Sequence, residues 1–189
     1  MSPSYLRSPE LMDAASSRVV IIDLQTRFAP IIPGFDRIVS GCRRLIQAAQ
    51  LMSVPVSVTE QYPKGLGETV SELAELVPDR AEKLRFSGAE CLDWVASGGS
   101  DSRRQILLAG IETHVCLLQT AFDLIAAGFE VYVAADLTGS RNDFDRDIAL
   151  RRMSDSGVHI VTSEMAMFEW CQIAGTPEFK QLSSIVKGS

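Results

Sequence analysis

The sequence predicts a single-domain α/β protein, a doubly wound parallel sheet of six strands with helices on both faces. Three observations carry that reading. Apolar runs of strand length alternate with helix-patterned segments along the whole chain, which is the signature of β-α-β units. The strand-length runs are apolar without alternation, as expected of strands covered on both faces. No linker, repeat or low-complexity tract divides the 189 residues, and 46% of them are hydrophobic, so one sizeable core is enough.

The elements follow in order. Residues 1–17 read as an N-terminal extension, with acidic residues and no apolar stretch of signal-peptide length; the domain proper spans 18–189. Residues 18–23 read as a buried first strand, and the spacing Ile38, Leu45, Ala48, Ala49, Met52 gives the next helix its apolar face. A second strand is expected at 54–59. The loop 60–67 is broken by Pro63, Gly65 and Gly67, after which 68–76 can form a short helix. Residues 82–86 permit a short third strand, 89–96 a short helix and 105–109 a fourth strand. The pattern at 115–127 predicts a helix closed by Gly128. A strand at 130–135, a helix at 143–156 ended by Gly157 and a last strand at 158–162 complete the sheet. The remainder, 164–187, is helical in two pieces parted by Gly175 and Pro177.

Charge and composition narrow the function. A net charge of −6 and a pI near 5.0 argue against a nucleic-acid surface, and the arginine pairs at 43–44, 103–104 and 151–152 read as solvated faces. No apolar run approaches the roughly 20 residues that span a bilayer, so no membrane partner is expected. Cys42, Cys91, Cys116 and Cys171 show no C-x-x-C pairing and read as free thiols of a reducing, cytoplasmic compartment.

The chemistry concentrates in Gly110-Ile-Glu-Thr-His-Val-Cys116, between a strand and a helix. It puts Cys116 on a first helical turn, where unpaired N–H groups and the helix dipole favour a thiolate and should lower the thiol pKa. Asp23, at the end of the first strand, can take the thiol proton as a general base, and Lys83 supplies a cation that favours charged sulfur. Plainer readings stand beside these. Cys42 and Cys171 fit packing roles, and Cys91 is the rival nucleophile. Asp23 can instead cap the amides of Gln25 or Thr26, and spacing alone does not separate Lys83 from Lys64. His114 lies two residues before Cys116, where helical side chains do not face each other; a turn or substrate-rim role suits it better than catalysis. Asp136 is expected to order the loop 137–141.

These residues resemble the isochorismatase-like cysteine hydrolases, a family that includes nicotinamidases and N-carbamoylsarcosine amidohydrolases. The resemblance runs from Val19 to about Phe179 and rests on Val-Ile-Ile-Asp23-Leu-Gln25, Glu82-Lys83-Leu-Arg-Phe86-Ser87, and Gly110 to Cys116 followed by Gln119-Thr120-Ala121. The loop Thr59-Glu-Gln-Tyr62-Pro-Lys-Gly-Leu66-Gly67 is similar to that of the isochorismatase domain-containing proteins. The resemblance implies a Rossmann-type fold and a triad of Asp23 as base, Lys83 as charge stabiliser and Cys116 as nucleophile. It also implies a cis peptide at Ile111-Glu112, an oxyanion hole from the backbone amides of Glu112 and Cys116, and a homodimer or homotetramer. Phe28, Tyr62, Leu66, His114 and Thr138 are candidates for the wall of a small-molecule pocket by their loop positions.

One departure bears on substrate. Nicotinamidases hold a metal through an Asp and two His after the second strand, whereas the loop 60–67 here has no histidine and the chain has only His114 and His159. The expectation is therefore no metal and no cofactor. The leading function is a metal-independent hydrolase of a small amide or related C–N bond, acting through a thioester on Cys116. The alternatives are hydrolysis of an enol ether, a non-catalytic oligomeric binding protein that kept the fold, and a redox-sensing thiol.

Overall fold

The strands are β1 (Ser17–Ile22), β2 (Val56–Gln61), β3 (Arg80–Lys83), β4 (Gln105–Ile111), β5 (Glu130–Gly139) and β6 (His159–Val161). In the computed structural model, which describes residues 6–96 and 103–188, they form one parallel sheet in the order β3-β2-β1-β4-β5-β6. The helical elements are α1 (Phe35–Leu51), the single turns α2 (Pro63–Leu66), α3 (Ser71–Ala74) and α4 (Asp93–Ala96), then α5 (Leu118–Ala126), α6 (Asp143–Asp155), α7 (Ser163–Cys171) and α8 (Pro177–Lys187).

The unbroken apolar run of β1 has a direct cause. Val19 and Ile21 pack into one core with Leu45 and Ile46 of α1, Trp170 of α7 and Leu182 of α8. Val20 and Ile22 face the opposite way, toward Leu117, Leu124 of α5 and Met153 of α6. Successive side chains alternate across a strand, so a strand covered on both sides must be apolar at every position. Trp170 is fixed in register by its indole N–H, which donates to Ser17 Oγ at 2.9 Å. The stretch before β1 packs against α7: Met12 is fully buried and its N–H donates to Glu169 Oε2 at 2.8 Å.

Strand order reverses between β1 and β4, because the chain runs outward from β1 to β3 and returns on the other side of β1. Ligands of such sheets bind at the carboxyl ends of the strands beside that reversal. Gly110 makes the close approach there possible. Its φ is +115° and a Cβ on it would run into the Ile22 carbonyl, so β4 can lie against the end of β1 only with glycine at this position.

Several boundaries differ from those the pattern predicts. β2 starts and ends two residues later, at Gln61, and β3 lies at 80–83; ladder pairs Glu60 with Glu82 and Gln61 with Lys83 hold these polar residues in strand. β5 continues to Gly139, past a register shift against β4 between Leu108 and Gly110. Asp136 is therefore a strand residue and does not order the loop 137–141: its carboxylate accepts from Ser163 N at 2.8 Å and Ser163 Oγ at 2.6 Å and starts α7. The helices expected at 68–76 and 89–96 shrink to single turns. No helix among the described residues is long and apolar enough to cross a membrane.

Candidate active site

Four strand ends converge at the reversal. Asp23 follows β1, Gln61 closes β2, Lys83 closes β3, and the turn Thr113–Leu117 follows β4. The strongest interaction there is a buried ion pair: Lys83 Nζ donates to Asp23 Oδ2 at 2.8 Å, with the two side chains 0% and 1% exposed. The other groups around it are polar and directed. Thr59 Oγ1 donates to Asp23 Oδ1 at 2.7 Å, and the ammonium also donates to Gln61 Oε1 at 2.6 Å and the Phe86 carbonyl at 2.9 Å. A buried charge persists only when paired and hydrogen-bonded in this way.

Cys116 reaches this pair from a widened turn. Residues Thr113–Leu117 form a π turn that runs into α5, in place of the α-helical start the sequence predicts. The amides of Val115 and Leu117 both donate to the Glu112 carbonyl, Thr113 Oγ1 donates to the Gly139 carbonyl at 3.0 Å, and Thr120 Oγ1 donates to the Cys116 carbonyl at 2.6 Å. Such turns recur at functional sites because they re-aim one side chain. The Cys116 thiol is directed at Gln61 Oε1, with sulfur and oxygen 3.9 Å apart, and it senses both members of the ion pair. The peptide Ile111-Glu112 is cis, as the resemblance implies. The Glu112 carboxylate accepts from Arg141 N and Nε, each at 3.0 Å.

The expectation of a lowered thiol pKa is corrected. The sulfur is buried, with Cys116 only 6% exposed, and loss of solvation, reinforced by the negative Asp23, pushes the thiol up to about 12 against the opposing pull of Lys83. Desolvation outweighs the helix start because the thiolate has more to lose from leaving water than a partial dipole returns. At neutral pH the Cys116 side chain therefore rests as a neutral thiol. Burial also raises the thiol of Cys42, and raises that of Cys91, where Lys83 partly offsets it.

The Isochorismatase domain family model matches residues 17–165. The chain belongs to the isochorismatase-domain family. It is 41% identical over 182 residues to zebrafish (Danio rerio) isochorismatase domain-containing protein 1, covering 94% of this chain and 63% of that protein's length. It is likewise 41% identical over 172 residues to mouse (Mus musculus) isochorismatase domain-containing protein 2A, covering 91% and 83%. Among solved structures, that of MAR1 ribonuclease from Caenorhabditis elegans superimposes with a TM-score of 0.87 at 35% identity, covering 94% of this chain and 92% of that one.

Within this isochorismatase-domain chain, a cleft of about 740 Å³ leads to Lys83, lined by Tyr62, Pro63, Lys64, Leu84, Arg85 and Cys91 among others. Of the expected wall residues, Tyr62 lines it. Phe28 instead packs against the main core, His114 Nδ1 lies 3.0 Å from Ser140 Oγ, and Thr138 is buried with its hydroxyl donating to the Ala135 carbonyl. Leu66 ends α2 outside the lining. Cys91, the rival thiol, stands at the cleft wall and donates to the Gly88 carbonyl at 3.2 Å.

The residue that sequence reasoning missed is Gln61. Its only signal was its place at the end of a strand opposite Lys83, hidden because the apolar pattern stops two residues earlier. The donor set also speaks on metals. Glu60, the only acid of the loop 60–67, already accepts from Thr69 N and Oγ1, both at 2.7 Å, and from Arg80 Nε at 3.0 Å. No group of three or more His, Cys, Asp or Glu among the described residues can hold an ion. These side chains do not fit the metal of the nicotinamidases.

Proposed function

We propose that the chain is a metal-independent cysteine hydrolase that cleaves a small amide or related C–N bond with Cys116 as nucleophile. The observation that carries this reading is the buried Lys83–Asp23 ion pair beside a buried thiol at the sheet's reversal point. A structural role alone gives little reason for it, since well-packed apolar residues often serve as well as a buried ion pair.

The neutral thiol and ionised Asp23 define the order of events. Sγ attacks the substrate carbonyl carbon as its proton passes to the Asp23 carboxylate, so the free thiolate never accumulates. The carbonyl electron pair moves onto oxygen, which the backbone amides of Glu112 and Cys116 stabilise. The pair returns, the C–N bond breaks, and Asp23 gives its proton to the departing amine. A thioester remains. Water then attacks it, Asp23 takes the water's proton, and collapse releases the acid and restores the thiol. Lys83 stays protonated, holding Asp23 in place and balancing negative charge through both halves.

The test is a panel of small primary amides and carbamoyl compounds assayed for amine or ammonia release. Cys116→Ala and Asp23→Asn should each lower turnover by about a thousandfold or more, the scale seen when a member of a catalytic triad is removed. Full turnover by Cys116→Ala would end the reading. Because the C. elegans relative is described as a ribonuclease, single-stranded RNA belongs in the same panel, and RNA cleavage that needs Cys116 would replace the amide as substrate.

A further inference from the structure

Gln61 is held from three directions. Gln25 Oε1 accepts from its backbone N–H at 2.8 Å, Gln25 Nε2 donates to its carbonyl at 3.1 Å, and its own Nε2 donates to the Leu84 carbonyl at 2.8 Å. The last of these fixes the amide's orientation. With the nitrogen committed to a carbonyl, Oε1 must face the opposite way, where it accepts from Lys83 Nζ at 2.6 Å and stands 3.9 Å from Cys116 Sγ. A flipped amide would set N–H groups against an ammonium and an oxygen against a carbonyl, losing both bonds.

We propose that Gln61 is a positioning residue: a neutral acceptor that pins the Lys83 ammonium beside the sulfur and takes the resting thiol's hydrogen bond without adding charge. The inference rests on Cys116 being the nucleophile. Two features of the site require both properties at once. Among the described residues the Lys83 ammonium is the positive charge that acts on the thiol, and Asp23 already matches it. A carboxylate at position 61 would pin Lys83 equally well yet leave the cluster one unit more negative, against formation of thiolate. An apolar side chain would leave the charge count unchanged yet release the ammonium from one of its acceptors. Glutamine meets both demands, and it acts through Lys83 and the thiol rather than on substrate.

The experiment compares Gln61→Glu and Gln61→Met with wild type by the rate at which iodoacetamide alkylates Cys116, resolved by peptide mass spectrometry across about pH 7 to 9, where rate follows thiolate fraction. A charge placed about 4 Å from an ionising group shifts it by roughly one to three pH units. Gln61→Glu should therefore alkylate at least about tenfold more slowly at every pH. Gln61→Met, which adds no charge, should slow alkylation less than Gln61→Glu does while losing at least about tenfold in kcat on an amide from the panel, with KM little changed. A folded Gln61→Glu that alkylates Cys116 at the wild-type rate overturns the proposal, whatever the melting temperatures do. If the Glu variant does not fold, wild-type kcat in Gln61→Met overturns it. A slowed Glu variant in a chain that turns over no amide keeps the role of Gln61 and removes the hydrolase reading, so the two fail separately.

Discussion

Replacing Lys83 by Met should destabilise the protein severely, and replacing Asp23 at the same time should relieve much of that cost. At 2.8 Å and an effective dielectric of about 20, the attraction between the two charges is roughly 6 kcal/mol. Each ion lost several kcal/mol on leaving water, so the pair itself contributes little net stability. Removing one member is a different matter, because it leaves the other buried at 1% exposure or less and uncompensated, at a cost of about 3–5 kcal/mol. Lys83→Met strands the Asp23 carboxylate with no cation to balance it among the described residues that bond it, Thr59 offering a neutral hydroxyl, and Asp23→Asn leaves the ammonium among neutral acceptors. The double variant buries no charge and should lose only about 1–3 kcal/mol for the acceptors left unmet. The assay is urea unfolding of the four proteins at neutral pH, read by circular dichroism, with m constant. The coupling between the two positions should be on the order of 3 kcal/mol or more. Effects that add to within about 0.5 kcal/mol, or a Lys83→Met loss below about 1 kcal/mol, would refute the buried pair.

Three further outcomes follow from the same geometry. The Cys116 thiol is raised from 9.0 to about 12 in the folded chain, so above pH 9 the unfolded chain ionises there while the native one does not. That part of the stability is intact below pH 9 and is lost as pH rises toward 12, to a limit of about 4 kcal/mol; unfolding midpoints of wild type and Cys116→Ala should converge as pH rises, and parallel profiles would contradict this. Gly110→Ala combines a φ of +115° with a backbone collision at Ile22 and should cost several kcal/mol, seen as insoluble protein or a lowered melting temperature, whereas a wild-type melting curve would mean that β4 does not lie so close to β1. A chelator should leave both melting temperature and turnover unchanged, because Glu60 is already occupied; stoichiometric metal lost together with activity would refute that.

The parts of the molecule that one face of one element determines were legible in the sequence. Val19 to Ile22 could only be a central strand, and the spacing of Ile38, Leu45 and Ala49 could only cover one sheet face. The place of Cys116 between a strand and a helix was legible because the apolar run of β4 stops at Ile111 and the helical pattern starts just after it. Gln61 was not, because Glu60 and Gln61 are polar and end the apolar signal at Thr59, while the ladder with β3 that keeps them in strand is a tertiary fact. The same holds for the thiol's proton affinity. Sequence shows a helix start, but the burial that outweighs it comes from chain segments far away in sequence. Asp136 was misread for a related reason, its partner Ser163 lying beyond a whole helix and strand. Phe28 stood in a turn, yet the turn folds back onto the core.

The central claim is that Cys116 carries the acyl group during turnover. The most direct measurement is rapid acid quench of wild-type protein turning over an amide or a labile ester of the same acid, followed by intact and peptide mass spectrometry. The account predicts one acyl group, mapped to the Cys116 peptide, that forms and decays at rates compatible with kcat and never appears in Cys116→Ala. Turnover with no adduct on Cys116 under conditions where deacylation limits the rate, or an adduct mapped to Cys91 instead, would contradict it.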